Sequence, residues 1–228
     1  CRQRRRYRHT TDSDHGLPVA PNLLKRQFTV PEPNQAWVAD ITAIWTLEGW
    51  LYLAAVLDLY DRQVIGWAMA DHMRVDLVLE AFNMAVAHRR PTGDLLFHSD
   101  RGSQYASTAF RQALAKAGIR QSMSARSNPY DNAWTESFMG TLKAEMLQGG
   151  CFINAHDART EIFAYIESYY NLHRKHSALG YQTPAGFALH LTTAIARPAA
   201  RDESSARRAI AQTAPIGVKD HRAPVVAG

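Results

Sequence analysis

Apolar and β-branched residues fill Trp37 to Ile44, run almost unbroken from Leu51 to Leu59, and return from Val64 to Ala70. Such runs predict three strands, the second buried on both faces. Glu48-Gly49 and Tyr60-Asp61-Arg62-Gln63 are connections short enough to make the three an antiparallel meander. The period then changes: Val75, Val78, Leu79, Phe82 and Val86 share one side of a helix that runs to His88 and stops at Pro91-Thr92-Gly93. A short strand at Leu95 to Phe97 leads into His98-Ser99-Asp100-Arg101-Gly102. Ser107 caps a helix through Phe110, Leu114 and Ala117 that Gly118 ends, and Ile119 to Ser124 is the last strand. Three adjacent strands followed by helix, strand, helix, strand and helix predict an α/β domain with a mixed five-stranded sheet flanked by helices.

The stretch from Asn128 to Leu147 predicts a two-faced helix opened by Asn128-Pro129. Trp134, Phe138, Leu142 and Met146, with Met139 and Leu147 beside them, form its apolar side. Asn132, Glu136, Gly140 and Lys143 follow at spacings that stack them along one polar stripe. Glycine inside a helix costs about 1 kcal/mol relative to alanine, a cost that makes sense where something bulky approaches between a carboxylate and an ammonium. A DNA backbone suits such a face, whereas a solvated surface helix is the plainer reading of the stripe taken alone. A further helix spans about His156 to Leu172, with Ile162, Tyr165, Ile166 and Tyr169 as its inner side. His173-Arg174-Lys175-His176 follows and reads as a basic surface cluster more readily than as a metal site.

Charge and composition narrow the field. The chain has 228 residues, 26 Lys plus Arg against 21 Asp plus Glu, and a formal charge of +5, an excess compatible with a polyanionic partner. Arg2, Arg4, Arg5, Arg6 and Arg8 crowd its start. No apolar run is long enough to span a membrane, and two cysteines far apart offer no disulfide framework, which points to a reducing cytoplasm. Residues 1–35 read as a basic, proline-containing linker, 36–189 as the folded core, and 190–228, poor in large apolar residues, as a disordered tail. Opening on Cys1, the chain reads as a fragment.

Several acidic residues invite attention. Asp40 interrupts the first strand, where aspartate is disfavoured, so it needs a buried arginine or a metal ion as partner. Asp100 sits where a strand ends and a turn begins, the end of an α/β sheet at which ligands bind. Asp58 and Asp61 flank the second turn and read as turn formers. The element order can bring Asp40, Asp100 and Glu136 to one end of the sheet, where three carboxylates repel one another unless cations lie between them. Mg²⁺ is the natural candidate.

The motifs around these residues carry a close resemblance. Trp-Val-Ala-Asp40-Ile-Thr, His-Ser-Asp100-Arg-Gly-Ser-Gln-Tyr and Asp-Asn-Ala-Trp-Thr-Glu136-Ser-Phe-Met-Gly-Thr-Leu-Lys143 resemble the Asp, Asp and Glu motifs of bacterial transposases of the insertion-sequence-three family. The 35 residues between Asp100 and Glu136 match the family spacing, and Lys143 matches the basic residue seven positions after its Glu. The likeness extends over roughly residues 7 to 187. It implies a ribonuclease-H-like core similar to that of retroviral integrases and two-metal phosphoryl transfer with Mg²⁺, for which Mn²⁺ can substitute. It also implies Asp40, Asp100 and Glu136 as catalytic metal ligands. DNA contacts are expected from Lys143, Asn132, Arg101, Arg126, Arg174 and Lys175. The implied partners are transposon-end and target DNA, with a homo-oligomer in the complex and the nucleoid as the place of work. Family members carry a helix-turn-helix region upstream, and the tail after His190 has no counterpart among them. The alternative from another class is a decayed or domesticated transposase that binds DNA without turnover.

Overall fold

A computed structural model describes residues 10, 14–125 and 129–189. The three apolar runs become β1 (Ala36–Thr46), β2 (Gly49–Asp58) and β3 (Val64–Ala70), a meander in which Trp37 pairs with Asp58 and Tyr52 with Ala70. The chain then crosses through α1 (Val75–Arg89) to β4 (Leu96–Ser99), which lies parallel to β1. A short helix α2 (Ser103–Ala106), which the apolar pattern does not announce, precedes α3 (Thr108–Lys116). The Ser107 hydroxyl oxygen accepts the Phe110 amide at 3.2 Å, the cap expected of it. β5 (Arg120–Met123) joins β4 in parallel, giving one five-stranded sheet in the order β3-β2-β1-β4-β5. Both parallel connections run through helices, as parallel pairing requires.

Strand alternation sends β1 side chains to two different cores. Trp37, Ala39, Ile41 and Ala43 meet α1 and α3, where Phe97 and Phe110 stack with ring centres 5.3 Å apart. Gly66 on β3 lets α1 come close: a β-carbon there would stand 2.2 Å from the Ala81 carbonyl oxygen. Ala36, Val38 and Ile44 face the opposite layer, made by α4 (Ala133–Leu147), α5 (Ala155–Ala164) and a π-helical segment, Tyr165–Tyr170.

Two expectations need correction. The long helix does not open at Pro129: Pro129–Asn132 is a 3-10 turn and α4 begins at Ala133, while Asn128 lies outside the described residues. The last helix does not keep one period to Leu172. At Tyr165 the wider π turn delays the inward face by one residue, so Tyr170 is buried and Tyr169 is 46% exposed. Asn171 fixes this slip, since its side chain exchanges two hydrogen bonds of 3.0 Å with the backbone of Val64.

Residues 14–35 form no helix or strand, as their prolines predict, yet they lie against the sheet domain. Leu24 is 3% exposed, and the amides of Leu23 and Leu24 both donate to the Ser122 hydroxyl oxygen. The basic run at 1–8 and the segment 190–228 lie outside the described residues.

Candidate active site

The parallel register of β1 and β4 advances one residue at a time, from Ala36 with Leu96 to Ala39 with Ser99. The next residues along are Asp40 and Asp100, so two carboxylates stand side by side where β4 ends. Asp40 has the parity of Val38 and therefore faces the α4 side of the sheet. Its Oδ1 accepts the Ile41 amide at 2.8 Å, and Asp100 Oδ1 accepts the Gly102 amide at 2.9 Å. Burial raises the Asp40 carboxyl well above the ordinary range. The Asp100 charge pushes it further, the Ile41 amide opposes, Glu136 adds to the rise and Lys143 draws it back. Glu136 is raised by burial and then by Asp100, and the Lys143 ammonium is lowered by burial against the pull of Asp40. Asp40 therefore senses the charges of Asp100, Glu136 and Lys143, and Glu136 that of Asp100, which places the four groups near one another.

On α4, Glu136 and Gly140 are exposed and Lys143 is half-buried, the stripe expected from their spacing. A β-carbon at Gly140 would meet nothing within 4 Å, so the glycine leaves an open approach between the carboxylate and the ammonium. Asn132 does not share that surface. It is 5% exposed, and its side-chain oxygen accepts the Thr135 hydroxyl one turn on. The 3-10 turn rotates it away from the stripe that a continuous helix would have given it.

A polar knot that sequence reasoning did not single out holds the cleft in shape. His98, on β4 two residues before Asp100, is fully buried; its Nδ1 lies 2.9 Å from the Ser122 hydroxyl and its Nε2 3.0 Å from the Asp131 carbonyl oxygen. Burial lowers its pKa to about 4, so the ring is neutral near pH 7. The Asp131 carboxylate accepts from the Asn22 amide group, Arg26 Nε and the Ala125 amide at 2.9 to 3.0 Å. Burial works against its charge, but these donors draw its carboxyl below the usual range. The knot ties the N-terminal segment, β4 and β5 to the turn that aims α4. Its one trace in the sequence is a run of polar residues at inward positions, His98, Ser122 and Ser124.

The remaining basic candidates scatter. Arg101 Nε donates to the Ser124 carbonyl oxygen at 2.7 Å, beside the cleft. Arg174 pairs with Glu145 at 2.9 Å on the far side of α4, Lys175 is exposed next to it, and Arg126 lies outside the described residues. Asp58 and Asp61 belong to the turn, as expected: Asp58 accepts the Asn34 and Tyr60 amides, and Asp61 accepts the Gln63 amide and pairs with Arg89 at 2.6 Å.

Among the described residues no group of three or more His, Cys, Asp or Glu is arranged so that it could hold a metal ion. The Asp40 and Asp100 pair nevertheless fits Mg²⁺, which takes one or two carboxylates and fills its shell with waters and substrate phosphates. Burial lifts Asp40 and Glu136, and repulsion from neighbouring carboxylates adds to the rise; a divalent cation relieves that repulsion.

Two family profiles, both described as Integrase core domain, match residues 30–129 and 117–184. The chain is 48% identical over 187 residues to the insertion element IS600 uncharacterized 31 kDa protein of Shigella sonnei, covering 82% of this chain and 69% of that protein. It is 45% identical over 173 residues to the transposase InsF for insertion sequence IS3A of Escherichia coli (strain K12), covering 76% of this chain and 60% of InsF. The chain belongs to the insertion-sequence-three family of transposases. This transposase-family chain thus spans between three fifths and seven tenths of the length of these relatives. In fold it matches the HTLV-2 integrase catalytic core domain solved with magnesium, with a TM-score of 0.52 at 16% identity, covering 69% of this chain and 97% of that core. Its sheet and helices are therefore those of the ribonuclease-H-like integrase cores.

Proposed function

We propose that this chain is the catalytic core of a DNA transposase that cuts transposon ends and joins them to target DNA, with Asp40, Asp100 and Glu136 holding the divalent ions. The observation that carries the reading is the register of β1 and β4, which sets Asp40 beside Asp100 on the side of the sheet covered by α4. When bound, the Mg²⁺ or Mn²⁺ ions make a hydroxyl nucleophilic at neutral pH and neutralise charge at the transferring phosphate. The chain's own work is positioning. Lys143 binds a backbone phosphate, Gly140 lets that backbone approach, and the His98 and Asp131 knot fixes the angle at which Glu136 enters. Arg101, held to the Ser124 carbonyl oxygen, lends positive charge to the same rim. Arg126 and Lys175 remain DNA-contact assignments of the same reading. Arg174, already paired with Glu145, and the interior Asn132 act on DNA only through the shape of α4.

In the first step water attacks a phosphodiester, the phosphorus bond to the 3′ oxygen breaks, and a 3′-hydroxyl is released. In the second, that hydroxyl attacks another phosphodiester, forming one phosphorus–oxygen bond and expelling the 3′ oxygen of the target. Both ends must be handled together, so the working form is a homo-oligomer on DNA in the bacterial cytoplasm and nucleoid. No helix among the described residues is long and apolar enough to cross a membrane. The same reading divides the chain into an N-terminal linker, a core at 36–189 and a tail beyond it.

The test is cleavage and joining of labelled DNA carrying the element's own ends, with a branched DNA of unrelated sequence at low salt in parallel. Product that needs Mg²⁺ or Mn²⁺ and disappears in Asp100→Asn supports the assignment. If wild type and variant bind DNA alike and neither gives product, even with the family's upstream region supplied, the chain is a DNA-binding relic.

A further inference from the structure

A hollow on another flank of α4 has largely apolar walls, among them Leu57, Leu59 and Phe138, into which Arg62, Arg174 and His176 are set. Arg62 sits in the β2–β3 turn with φ of 64°, a left-handed conformation that arginine seldom adopts. It is 9% exposed, and its guanidinium carbon lies 3.3 Å from the centre of the Trp134 ring. Stacking satisfies the face of the guanidinium but not all of its donors: Nε and Nη1 are buried and donate to nothing. The Nε2 of His176, across the hollow, is likewise buried without a partner.

The hollow between them has a volume of about 70 Å³. One water needs roughly 10–15 Å³, so the space admits a tetrahedral oxyanion. The hydroxyls of Ser137 and Thr141 line it from α4, and Arg174 from below. Its one carboxylate, Asp58, spends its oxygens on the Asn34 and Tyr60 amides, and the Arg174 charge is shared with Glu145. Burial lowers the Arg62 guanidinium to about 10 against the pull of Tyr170, Asp58 and Asp61, and burial with the Arg174 and Arg62 charges lowers His176 to about 4, so its ring is neutral near pH 7 and serves as a hydrogen-bond donor.

We propose that this hollow is a seat for a phosphate-class oxyanion, held by an unpaired guanidinium donor of Arg62 together with His176, Ser137 and Thr141. Ser137 follows Glu136 directly, and Val38, on its floor, precedes Asp40 by two residues on the same side of the sheet. The seat therefore lies next to the carboxylate cleft along α4. A phosphodiester of the bound DNA, away from the reacting one, is the occupant this position favours. Free inorganic phosphate offers the same chemistry.

Two arms separate these sources. In the first, inorganic phosphate is titrated into the full chain at constant ionic strength against chloride, with melting temperature and phosphorus NMR linewidth as readouts. This arm does not depend on transposase activity. Saturable binding that weakens at least about tenfold in Arg62→Gln, the loss of one charge-assisted contact, supports the seat. If that variant does not fold, Ser137→Asp, at an exposed position, sets a carboxylate at the mouth and weakens binding in the same way. In the second arm, which rests on the reading of the chain as a DNA-acting enzyme, DNA affinity is measured against salt. A DNA phosphate in the seat lowers the slope of log affinity against log salt by about 0.9 in the variants. Phosphate binding with an unchanged slope assigns the seat to the free anion, and an altered slope without phosphate binding assigns it to DNA. No saturable phosphate binding and no change of slope overturns the proposal.

Discussion

Two sets of acidic residues, one at the β2–β3 turn and one drawn from β1, the end of β4 and α4, differ in the groups that face them. Asp58 and Asp61, at the β2–β3 turn, are fully buried, and their oxygens are met by the Asn34, Tyr60 and Gln63 amides and by Arg89. Burial raises Asp40 and Glu136, and the charge of neighbouring carboxylates raises both further. Residue type and burial do not separate the sets, because Asp58 is also lifted, to about 6, by burial and by Asp61. What separates them is who faces them. Asp61 faces the Arg89 guanidinium and helps hold a turn, whereas in the proposed function the repulsion among Asp40, Asp100 and Glu136 is answered by a cation. Strained electrostatics of this kind marks functional sites.

The contrast can be broken from either side. Asp40→Asn, Asp100→Asn or Glu136→Gln is expected to lower strand transfer at least about 10³-fold, since each removes charge that positions the transferring phosphate. In the absence of divalent metal, Asp40→Asn is nevertheless expected to melt above the wild type. Addition of Mg²⁺ should then raise the wild-type melting temperature more than the variant's. A variant that melts below the wild type in EDTA would mean that the cleft is not under repulsion.

At the turn the expected sign reverses. Arg89→Ala strands the Asp61 carboxylate in the interior and should cost about 3–5 kcal/mol by urea unfolding, while strand transfer persists at low temperature. An unchanged urea midpoint would place the ion pair outside the stability of the fold.

A pH series sharpens the comparison within the turn itself. The folded Asp58 carboxyl, at about 6, lies above its ordinary 3.8, so the native state holds the proton more tightly than the unfolded chain does. Its contribution is therefore present in full below pH 3.8 and is lost as pH rises through 6. The shift corresponds to about 3 kcal/mol. Asp58→Asn should flatten the stability profile over that window, and an equal slope in both proteins would contradict the assignment.

The smallest expected effect lies on α4. Gly140→Ala adds a methyl group to open space and should stabilise the helix by about 1 kcal/mol. It should also weaken DNA binding, since the methyl fills the approach between Glu136 and Lys143. Stabilisation without any loss of affinity would remove the DNA backbone from that face.

Much of this fold is legible in the order of apolar runs. β1, β2, β3 and α1 follow their hydrophobic patterns to within a residue or two, because each is long and buries a continuous face. The short β4 and β5 could be anticipated only through the turns around them. The breaks in periodicity were hidden: the 3-10 turn, tied through Asp131 to Asn22 and Arg26, and the π turn, tied through Asn171 to Val64, both depend on partners distant in the chain. The spacing of Asp40, Asp100 and Glu136 could be read in the motifs, and so could Lys143. The buried His98, Asp131 and Arg62 stood in the same motifs and turns without a local sign of their roles.

The sequence by itself determined the element types, the sheet's composition and the family, since periodicity and motif spacing are local and survive any arrangement of the rest. The tertiary structure alone decided that the parallel register brings Asp40 against Asp100. It alone decided that Arg62 stacks on Trp134 with two donors unmet, and that residues 14–35 lie against β5. These are pairings between residues 60 to 99 positions apart, and no local preference along the chain encodes the side of the sheet on which two such residues meet.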